Sequence, residues 1–149
     1  MIDLIIIIPT IGRNSLLNTI ESIKKLNINN WKCLLIFDGT ERNVIIEDNR
    51  FIILETEKLG KINSNNAGLV RNYGLKYIDD NKILSKYICF VDDDDTINPY
   101  YIDNLNEELK YDNEVDVIIF RMMYKNFYVL PTPIDYSIKL KKVGISFAI

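Results

Sequence analysis

Four consecutive carboxylates follow an apolar segment in the middle of the chain. Residues 88–91 (Ile-Cys-Phe-Val) are followed directly by Asp92, Asp93, Asp94 and Asp95. Two unit charges about 4 Å apart repel each other by roughly 1 kcal/mol in water and by several-fold more near a protein surface. A divalent cation would offset that repulsion, and carboxylate oxygens suit Mg²⁺ and Mn²⁺, which also bridge to phosphate oxygens. We therefore predict a metal site that carries a phosphorylated ligand, with an acidic helix-capping turn as the simpler alternative.

The composition excludes several other kinds of chemistry and partner. The chain of 149 residues contains no histidine, which removes the commonest general base and His-ligated zinc. Its formal net charge of -3 and its scattered basic residues argue against a nucleic-acid partner. Residues 1–8 are apolar but include Asp3 and lack a basic start, so they predict neither a signal peptide nor a transmembrane segment. Cys33 and Cys89 lie in apolar runs, and we expect free thiols in a reducing compartment, the cytoplasm.

The apolar runs predict the elements that must position the four aspartates. Leu4–Ile8 is a continuous run, typical of a parallel strand that is buried on both faces. Further strands are predicted at 32–37, 51–54, 87–91, 115–120 and 143–149. Three helices are predicted, with caps at Asn14, at Ser64 or Asn65, and at Asn98 before Pro99. This order predicts an α/β fold, an open and mostly parallel sheet flanked by helices, in a single domain over residues 1–149.

Polar residues follow three of these strands, at the edge where such sheets bind ligands. The carboxyl ends of parallel strands form that edge, and the residues just past them are Pro9-Thr10, Asp38-Gly39 and Asp92 to Asp95. Asp38 alone could simply cap a turn, but at this edge it could also accept a hydrogen bond from a base or a ribose. Arg13 and Arg71 are the candidates for neutralising phosphate, although an arginine is by default a solvated surface residue. Together these residues predict one shared pocket.

Four segments of the chain resemble motifs of a known enzyme family. They are Ile6-Ile7-Ile8-Pro9-Thr10-Ile11-Gly12-Arg13, then Asp38, then Gly68-Leu69-Val70-Arg71-Asn72-Tyr73-Gly74-Leu75, and finally Phe90–Asp95 with Pro99 after it. In this order they resemble the first strand and turn, the base-recognising aspartate, the "ARNxG" helix and the DxD segment of family-two glycosyltransferases with the GT-A fold. The resemblance covers roughly residues 2–120 and implies a GT-A-like fold with a Rossmann-like nucleotide-binding half.

The resemblance also implies a function. The chain would bind a nucleoside-diphosphate sugar, by default a UDP-sugar, and transfer the sugar with inversion to a hydroxyl of an unknown glycan, lipid or protein acceptor. Asp94 would be the main ligand of Mn²⁺ or Mg²⁺, with Asp92 beside it, and the metal would stabilise the departing diphosphate. Asp92 and Asp93 would contact ribose or sugar hydroxyls, and Arg71 would lie near the diphosphate or the donor sugar. The nucleotide pocket would be lined by Pro9, Thr10, Arg13 and Asp38.

The resemblance leaves the catalytic base open. Members of the family keep an acidic base after a strand similar to Val143–Ile149, where this sequence stops. We therefore expect the base to be absent, and neither Asp116 nor Asp135 is a favoured substitute. One alternative is a non-catalytic nucleotide-sugar-binding module. Another is a haloacid dehalogenase-like phosphatase that uses Asp92 as the nucleophile, Asp94 as the general acid and Mg²⁺ as the cofactor, although that motif normally lies on the first strand.

Overall fold

The computed structural model describes residues 1–62, 64–111, 116–120, 122–124, 128–130 and 147–148. Its elements, in chain order, are β1 (Ile2–Thr10), α1 (Leu16–Lys24), β2 (Trp31–Asp38), β3 (Phe51–Thr56), α2 (Ala67–Asp80), β4 (Ser85–Phe90), α3 (Tyr101–Tyr111), β5 (Ile118–Ile119), β6 (Met122–Tyr124), β7 (Tyr128–Leu130) and β8 (Phe147–Ala148). None of the helices in these ranges combines the length and the apolar character that a membrane crossing requires.

A six-stranded sheet in the order β3-β2-β1-β4-β8-β5 forms the centre of the fold. Strands β1 to β4 run parallel to one another, and β8 lies antiparallel between β4 and β5. Strands β6 and β7 pair as a separate antiparallel ribbon. The prediction of an open, mostly parallel sheet flanked by helices is therefore confirmed.

The apolar run of β1 is continuous because helices cover both faces of the sheet. Leu4, Ile6 and Ile8 are fully buried on the face that packs against α1 and α3. Ile5 and Ile7 are fully buried on the opposite face, against α2. Close packing on both sides holds β1 firmly at the centre of the sheet. Its carboxyl end is therefore a rigid support for the polar residues that follow.

Helix α2 approaches the sheet closely at Gly74. A Cβ atom at this position would lie 2.9 Å from Ile36 Cδ1 and 2.9 Å from Ile7 Cγ2, which is closer than real Cβ contacts. Val70 and Ile78, one turn before and one turn after, are buried on the same side of the helix. The missing side chain at Gly74 therefore lets α2 lie near the end of β1.

Pro9 and Thr10 were predicted to lie just past the first strand, which is wrong, because β1 continues to Thr10. The carbonyl of Ile7 accepts a hydrogen bond from the Val91 N–H at 3.1 Å, on the β4 side of the strand. Pro9, two residues further on, faces the same side, but β4 has already ended at Phe90. The missing N–H of proline therefore lies past the end of β4, and β1 continues because Pro9 and Thr10 keep their pairing with Ile36 and Phe37 of β2.

The helices begin slightly later than predicted. The N-cap of α1 is Ser15, one residue after the predicted Asn14, and that of α2 is Asn66, one or two residues after the predicted Asn65 or Ser64. The side chain of Asn98 accepts a hydrogen bond from the Tyr100 N–H at 2.9 Å, as a cap does, but α3 itself begins only at Tyr101. Because α2 begins only after Asn66, the polar residues Ser64 and Asn65 belong to the loop at the carboxyl edge of the sheet.

The last two predicted strands are observed only in part. The strand predicted at 115–120 is described as Ile118–Ile119, and the one predicted at 143–149 as Phe147–Ala148. Asp135, which was not favoured as the catalytic base, lies outside the described residues. The β6–β7 ribbon was not predicted, because strands of three residues are too short to display an alternating pattern.

Candidate functional site

A cleft lies at the carboxyl ends of β1 and β4. From β1 the chain moves outward to β2 and β3, and then returns through α2 to β4 on the other side of β1. Open α/β sheets bind ligands at such a reversal of the strand order. The cleft has a volume of about 780 Å³. All eight predicted site residues line it: Pro9, Thr10, Arg13, Asp38, Arg71, Asp92, Asp93 and Asp94. Their roles in binding stay predictions.

Asp93 is a buried acid that joins the ends of β1 and β4. Only 4% of its surface is exposed. Thr10 Oγ1 donates a hydrogen bond to Asp93 Oδ2 at 2.7 Å, and Arg13 Nη1 donates to Oδ1 at 2.9 Å. A buried carboxylate is costly unless it is paired and hydrogen-bonded, so these two contacts explain why Asp93 is tolerated here. Its contact with a ribose or sugar hydroxyl remains a prediction.

The turn after β1 directs Arg13 back over the aspartates. Thr10 Oγ1 accepts a hydrogen bond from the Gly12 N–H at 2.9 Å, and Gly12 has a φ of +77°, which favours glycine. The Asn43 amide donates to the Gly12 carbonyl at 2.7 Å and so fixes the turn further. Arg13 Nη1 also lies 3.5 Å from Asp94 Oδ2. Because about half of its side chain is exposed (52%), Arg13 could contact both the acidic run and a ligand.

Arg71 reaches the same cleft from α2. Its Nη2 group forms an ion pair with Asp92 Oδ1, and only 14% of the Arg71 side chain is exposed. Its guanidinium carbon lies 5.9 Å from the centre of the Phe90 ring. Within the described residues, Arg71 Nε is buried without a hydrogen-bond partner. Arg71 is thus held by its surroundings, and not displayed as a solvated surface arginine.

Three of the four consecutive aspartates form a cluster that could hold a cation. One carboxylate oxygen from each of Asp92, Asp94 and Asp95 lies within 4.8 Å of the others. The Asp95 N–H donates to the Asp92 carbonyl at 3.1 Å, so the run folds into a turn, and Thr19 Oγ1 anchors it by donating to the Asp95 carbonyl at 2.7 Å. Burial, and then repulsion from Asp92 and Asp94, raise the pKa of Asp95. A hard cation with oxygen ligands fits these residues.

The position of Asp95 in this cluster was not predicted. The resemblance assigned the metal to Asp94 and Asp92, whereas the structure brings Asp95 into the same cluster. The signal was available, since four adjacent carboxylates were taken together as evidence of a cation. The separation of Asp93 from the other three depends on the turn, which a run of identical residues does not reveal.

Asp38 lies almost fully buried at the β2 end of the cleft, with 4% of its surface exposed. The Leu59 N–H donates to Asp38 Oδ1 at 2.7 Å, and Lys58 Nζ donates to Oδ2. Lys58 also lines the cleft but was missed in the sequence. Because β3 extends to Thr56 and does not end at Leu54, Lys58 lies just past a strand end, where the rule that located the other site residues would have found it.

The charges in and beside the cleft leave two carboxylates without a full partner. Three cations form ion pairs with three acids, namely Arg13 with Asp93, Arg71 with Asp92, and Lys58 with Asp38. Asp94, whose nearest cation is the shared Arg13 at 3.5 Å, and Asp95 remain. Three cations facing five carboxylates leave a local charge of minus two. One divalent cation would balance it.

A mostly parallel sheet with an acidic and arginine-lined cleft at its strand-order reversal is the architecture expected of a GT-A-like fold. The sequence profile described as Glycosyl transferase family 2 matches residues 5–141, which is most of the chain. The chain belongs to this family, and the predicted family resemblance is confirmed. By sequence alone, none of the curated proteins is similar enough to match.

Solved structures of S. aureus TarS share the fold. TarS 1-349 has a TM-score of 0.71 at 16% identity, with 99% of this chain and 46% of that chain covered. Its complex with UDP-GlcNAc has a TM-score of 0.67 at 16% identity, with 99% and 45% covered. Its complex with UDP has a TM-score of 0.68 at 17% identity, with 99% and 46% covered. The chain thus spans less than half of these TarS chains, and the likeness confirms the predicted GT-A-like fold.

Proposed function

We propose that the chain binds a nucleoside-diphosphate sugar through Mn²⁺ or Mg²⁺ at its DxD segment and transfers the sugar, with inversion, to an acceptor hydroxyl. The observation that carries this proposal is the convergence of Arg13, Arg71 and the acidic run in one cleft, with two carboxylates in excess. A diphosphate would add further negative charge. A cation is therefore needed for the donor and the acidic run to occupy the same cleft.

In this proposal Asp94, Asp92 and Asp95 hold the cation. When bound, the metal acts as a Lewis acid that stabilises the negative charge on the departing nucleoside diphosphate. Asp94 is the main ligand because it is the most exposed of the three and therefore the most accessible to the metal and the donor. Asp93 acts through its neighbours, since it positions Thr10 and Arg13.

Arg13 and Arg71 are proposed to bind the phosphates and the donor sugar. A guanidinium presents several N–H donors in a plane and remains charged at any physiological pH, which suits phosphate oxygens. Arg13 has half of its side chain exposed, so it can turn toward a ligand without leaving Asp93. Only 14% of the Arg71 side chain is exposed, so its guanidinium is already largely desolvated at the cleft. Pro9 and Thr10 would line the nucleotide pocket beside them.

We propose a UDP-sugar as the donor, which the TarS complexes with UDP and UDP-GlcNAc support. Asp38 would accept a hydrogen bond from the base. The acceptor is proposed to be a hydroxyl of a glycan, lipid or protein. The buried free thiols of Cys33 and Cys89 support a reducing compartment, and we propose the cytoplasm.

No catalytic base is proposed among the residues of the cleft. Asp116 is exposed and is not one of the described residues that line the cleft. A nucleotide-sugar-binding module that lacks transfer activity therefore remains the second candidate. The family match argues against the phosphatase alternative.

Isothermal titration calorimetry of the whole chain with UDP tests the proposal. We expect UDP to bind in Mn²⁺ or Mg²⁺ and to bind much more weakly in EDTA. Asp94→Asn should weaken metal-dependent binding by at least about tenfold, because it removes a charged ligand. Asp79→Asn is the matched control, because Asp79 is also an exposed aspartate but lies near the C-terminal end of α2.

The outcomes separate the candidate functions. If UDP does not bind with or without metal, the glycosyltransferase proposal fails. Binding of UDP-GlcNAc without hydrolysis, and without transfer to any acceptor, would favour the binding module. Hydrolysis of a simple phosphate ester that Asp92→Asn abolishes would instead establish the phosphatase. Equal losses for Asp94→Asn and Asp95→Asn would show that the main ligand has been wrongly assigned.

A further inference from the structure

Lys58, which no motif of the family resemblance includes, forms a donor–acceptor pair with Asp38, which the resemblance assigned to the base of the donor. Lys58 Nζ donates to Asp38 Oδ2, and both residues line the cleft. Asp38 is nearly fully buried, whereas about a third of the Lys58 side chain is exposed (32%). A ligand that reaches Asp38 therefore meets the ammonium group of Lys58 beside it.

The remaining hydrogen-bonding capacity of this pair can be counted. A carboxylate offers about four acceptor sites and an ammonium offers three N–H donors. Asp38 has already accepted one bond on each oxygen, from the Leu59 N–H and from Lys58, and Lys58 has given one. Two donors remain on Lys58, and Asp38, which lines the cleft, keeps acceptor capacity on each oxygen. The pair thus presents a donor and an acceptor side by side, each strengthened by its charge.

We propose that Lys58 is a specificity-determining residue that selects uracil over cytosine in the donor. This inference rests on the proposed function. Asp38 accepts a hydrogen bond from the N3–H of uracil, while Lys58 donates to the neighbouring O4 carbonyl. The imide edge of uracil is complementary to the pair, because its donor and acceptor are also adjacent.

Cytosine bound in the same position would present the opposite donor and acceptor to both side chains. Its N3 is an acceptor and would face the carboxylate of Asp38, and its N4 amine is a donor and would face the ammonium of Lys58. The two pyrimidines are equal in size and attach to the ribose in the same way, so shape alone cannot separate them. A site whose buried polar groups pair with one ligand and not with its analogue discriminates strongly.

Calorimetry with UDP, CDP and inorganic pyrophosphate in Mn²⁺ tests the inference. The wild-type chain should bind UDP about 100-fold more tightly than CDP. Lys58→Met should lower UDP affinity about tenfold and change CDP affinity by less than about threefold, so the selectivity falls. Pyrophosphate affinity should not change. Lys61→Met is the matched control, because Lys61 is an exposed lysine of the same loop that lies outside the cleft lining.

A comparison with 4-thio-UDP tests the contact itself, because sulfur is a weak hydrogen-bond acceptor. The wild type should bind 4-thio-UDP several-fold more weakly than UDP, and Lys58→Met should bind the two alike. Lys58→Gln keeps a donor and should retain part of the selectivity, even if Lys58→Met folds poorly. The inference is overturned if Lys58→Met weakens UDP, CDP and pyrophosphate equally, or if the preference for UDP is unchanged. Failure of the proposed function is a different result, since the wild type would then bind neither nucleotide.

Discussion

The buried hydrogen bond between Thr10 and Asp93 gives the sharpest test of how the site is built. Thr10→Val keeps the shape of the side chain and removes the hydroxyl that donates to Asp93 Oδ2 at 2.7 Å and accepts from the Gly12 N–H at 2.9 Å. Thr10 and Asp93 are 3% and 4% exposed, so water cannot easily replace the lost partner. We expect the variant to fold and to be markedly less stable.

The size of the effect follows from the two contacts. A hydrogen bond to a charged group contributes about 1.5–3 kcal/mol to stability, and one between neutral groups contributes about 0.5–1.5 kcal/mol. Thr10→Val loses one of each, so its free energy of unfolding should fall by about 2–4 kcal/mol. Thr19→Val is the matched comparison. Thr19 is fully buried and its hydroxyl also donates at 2.7 Å, but to the neutral Asp95 carbonyl. Its loss should be about 1 kcal/mol.

Equilibrium unfolding in urea measures both variants, with linear extrapolation to water. The fluorescence of Trp31, the only tryptophan, is a suitable probe because this side chain is 2% exposed. Thr10→Val should shift the midpoint at least twice as far as Thr19→Val at an unchanged slope. Equal losses in the two variants would refute the reasoning, because they would mean that Asp93 gains nothing from its partner in β1.

Two further predictions concern the packing of α2 and the acidic run. Gly74→Ala should destabilise the fold by about 1–3 kcal/mol, because the added methyl group would overpack against Ile36. Gly68→Ala is the control: a Cβ there has nothing within 4 Å, so the variant should be neutral or more stable by up to about 1 kcal/mol. Similar urea midpoints for the two variants would contradict the close approach of α2 to the sheet. Burial and the neighbouring carboxylates raise the pKa of Asp95 above its ordinary value of 3.8, so the folded chain holds the Asp95 proton more tightly than the unfolded chain. Stability is therefore lost as the pH rises from the unfolded-state pKa through the higher folded-state pKa. In EDTA, Asp95→Asn should therefore increase the free energy of unfolding at pH 7 more than at pH 4; an equal gain at both would contradict the electrostatic origin.

The central strands and the ligand edge could be predicted because burial controls the sequence there. A strand covered on both faces needs apolar residues at every position, and Leu4–Ile8 meets that need with all five side chains fully buried. Where such strands end, polar residues return. Thr10 and Asp38 could therefore be placed at one edge before their neighbours were known.

The contacts within the cleft could not be predicted, because they depend on tertiary geometry. Asp93 binds Thr10 across a separation of 83 residues, and no local pattern marks that pair. Lys58 escaped notice because the predicted end of β3 was two residues too early. The strand β1 continues past Ile8 because Pro9 and Thr10 pair with Ile36 and Phe37 of β2, which is a property of the sheet and not of the β1 sequence.

The four aspartates are identical in sequence and distinct in the fold, and this difference supports the proposed cation site. Asp93 is buried and paired, and Asp92 is paired with Arg71, so the arginines neutralise the half of the run that supports the structure. Asp94 and Asp95 keep the uncompensated charge, beside an oxygen of Asp92. Another arginine could neutralise one of these charges but could not be coordinated by carboxylate and diphosphate oxygens at once. A divalent cation neutralises both charges and accepts both kinds of oxygen ligand, and for that reason we propose a metal, and not a further side chain, at the end of β4.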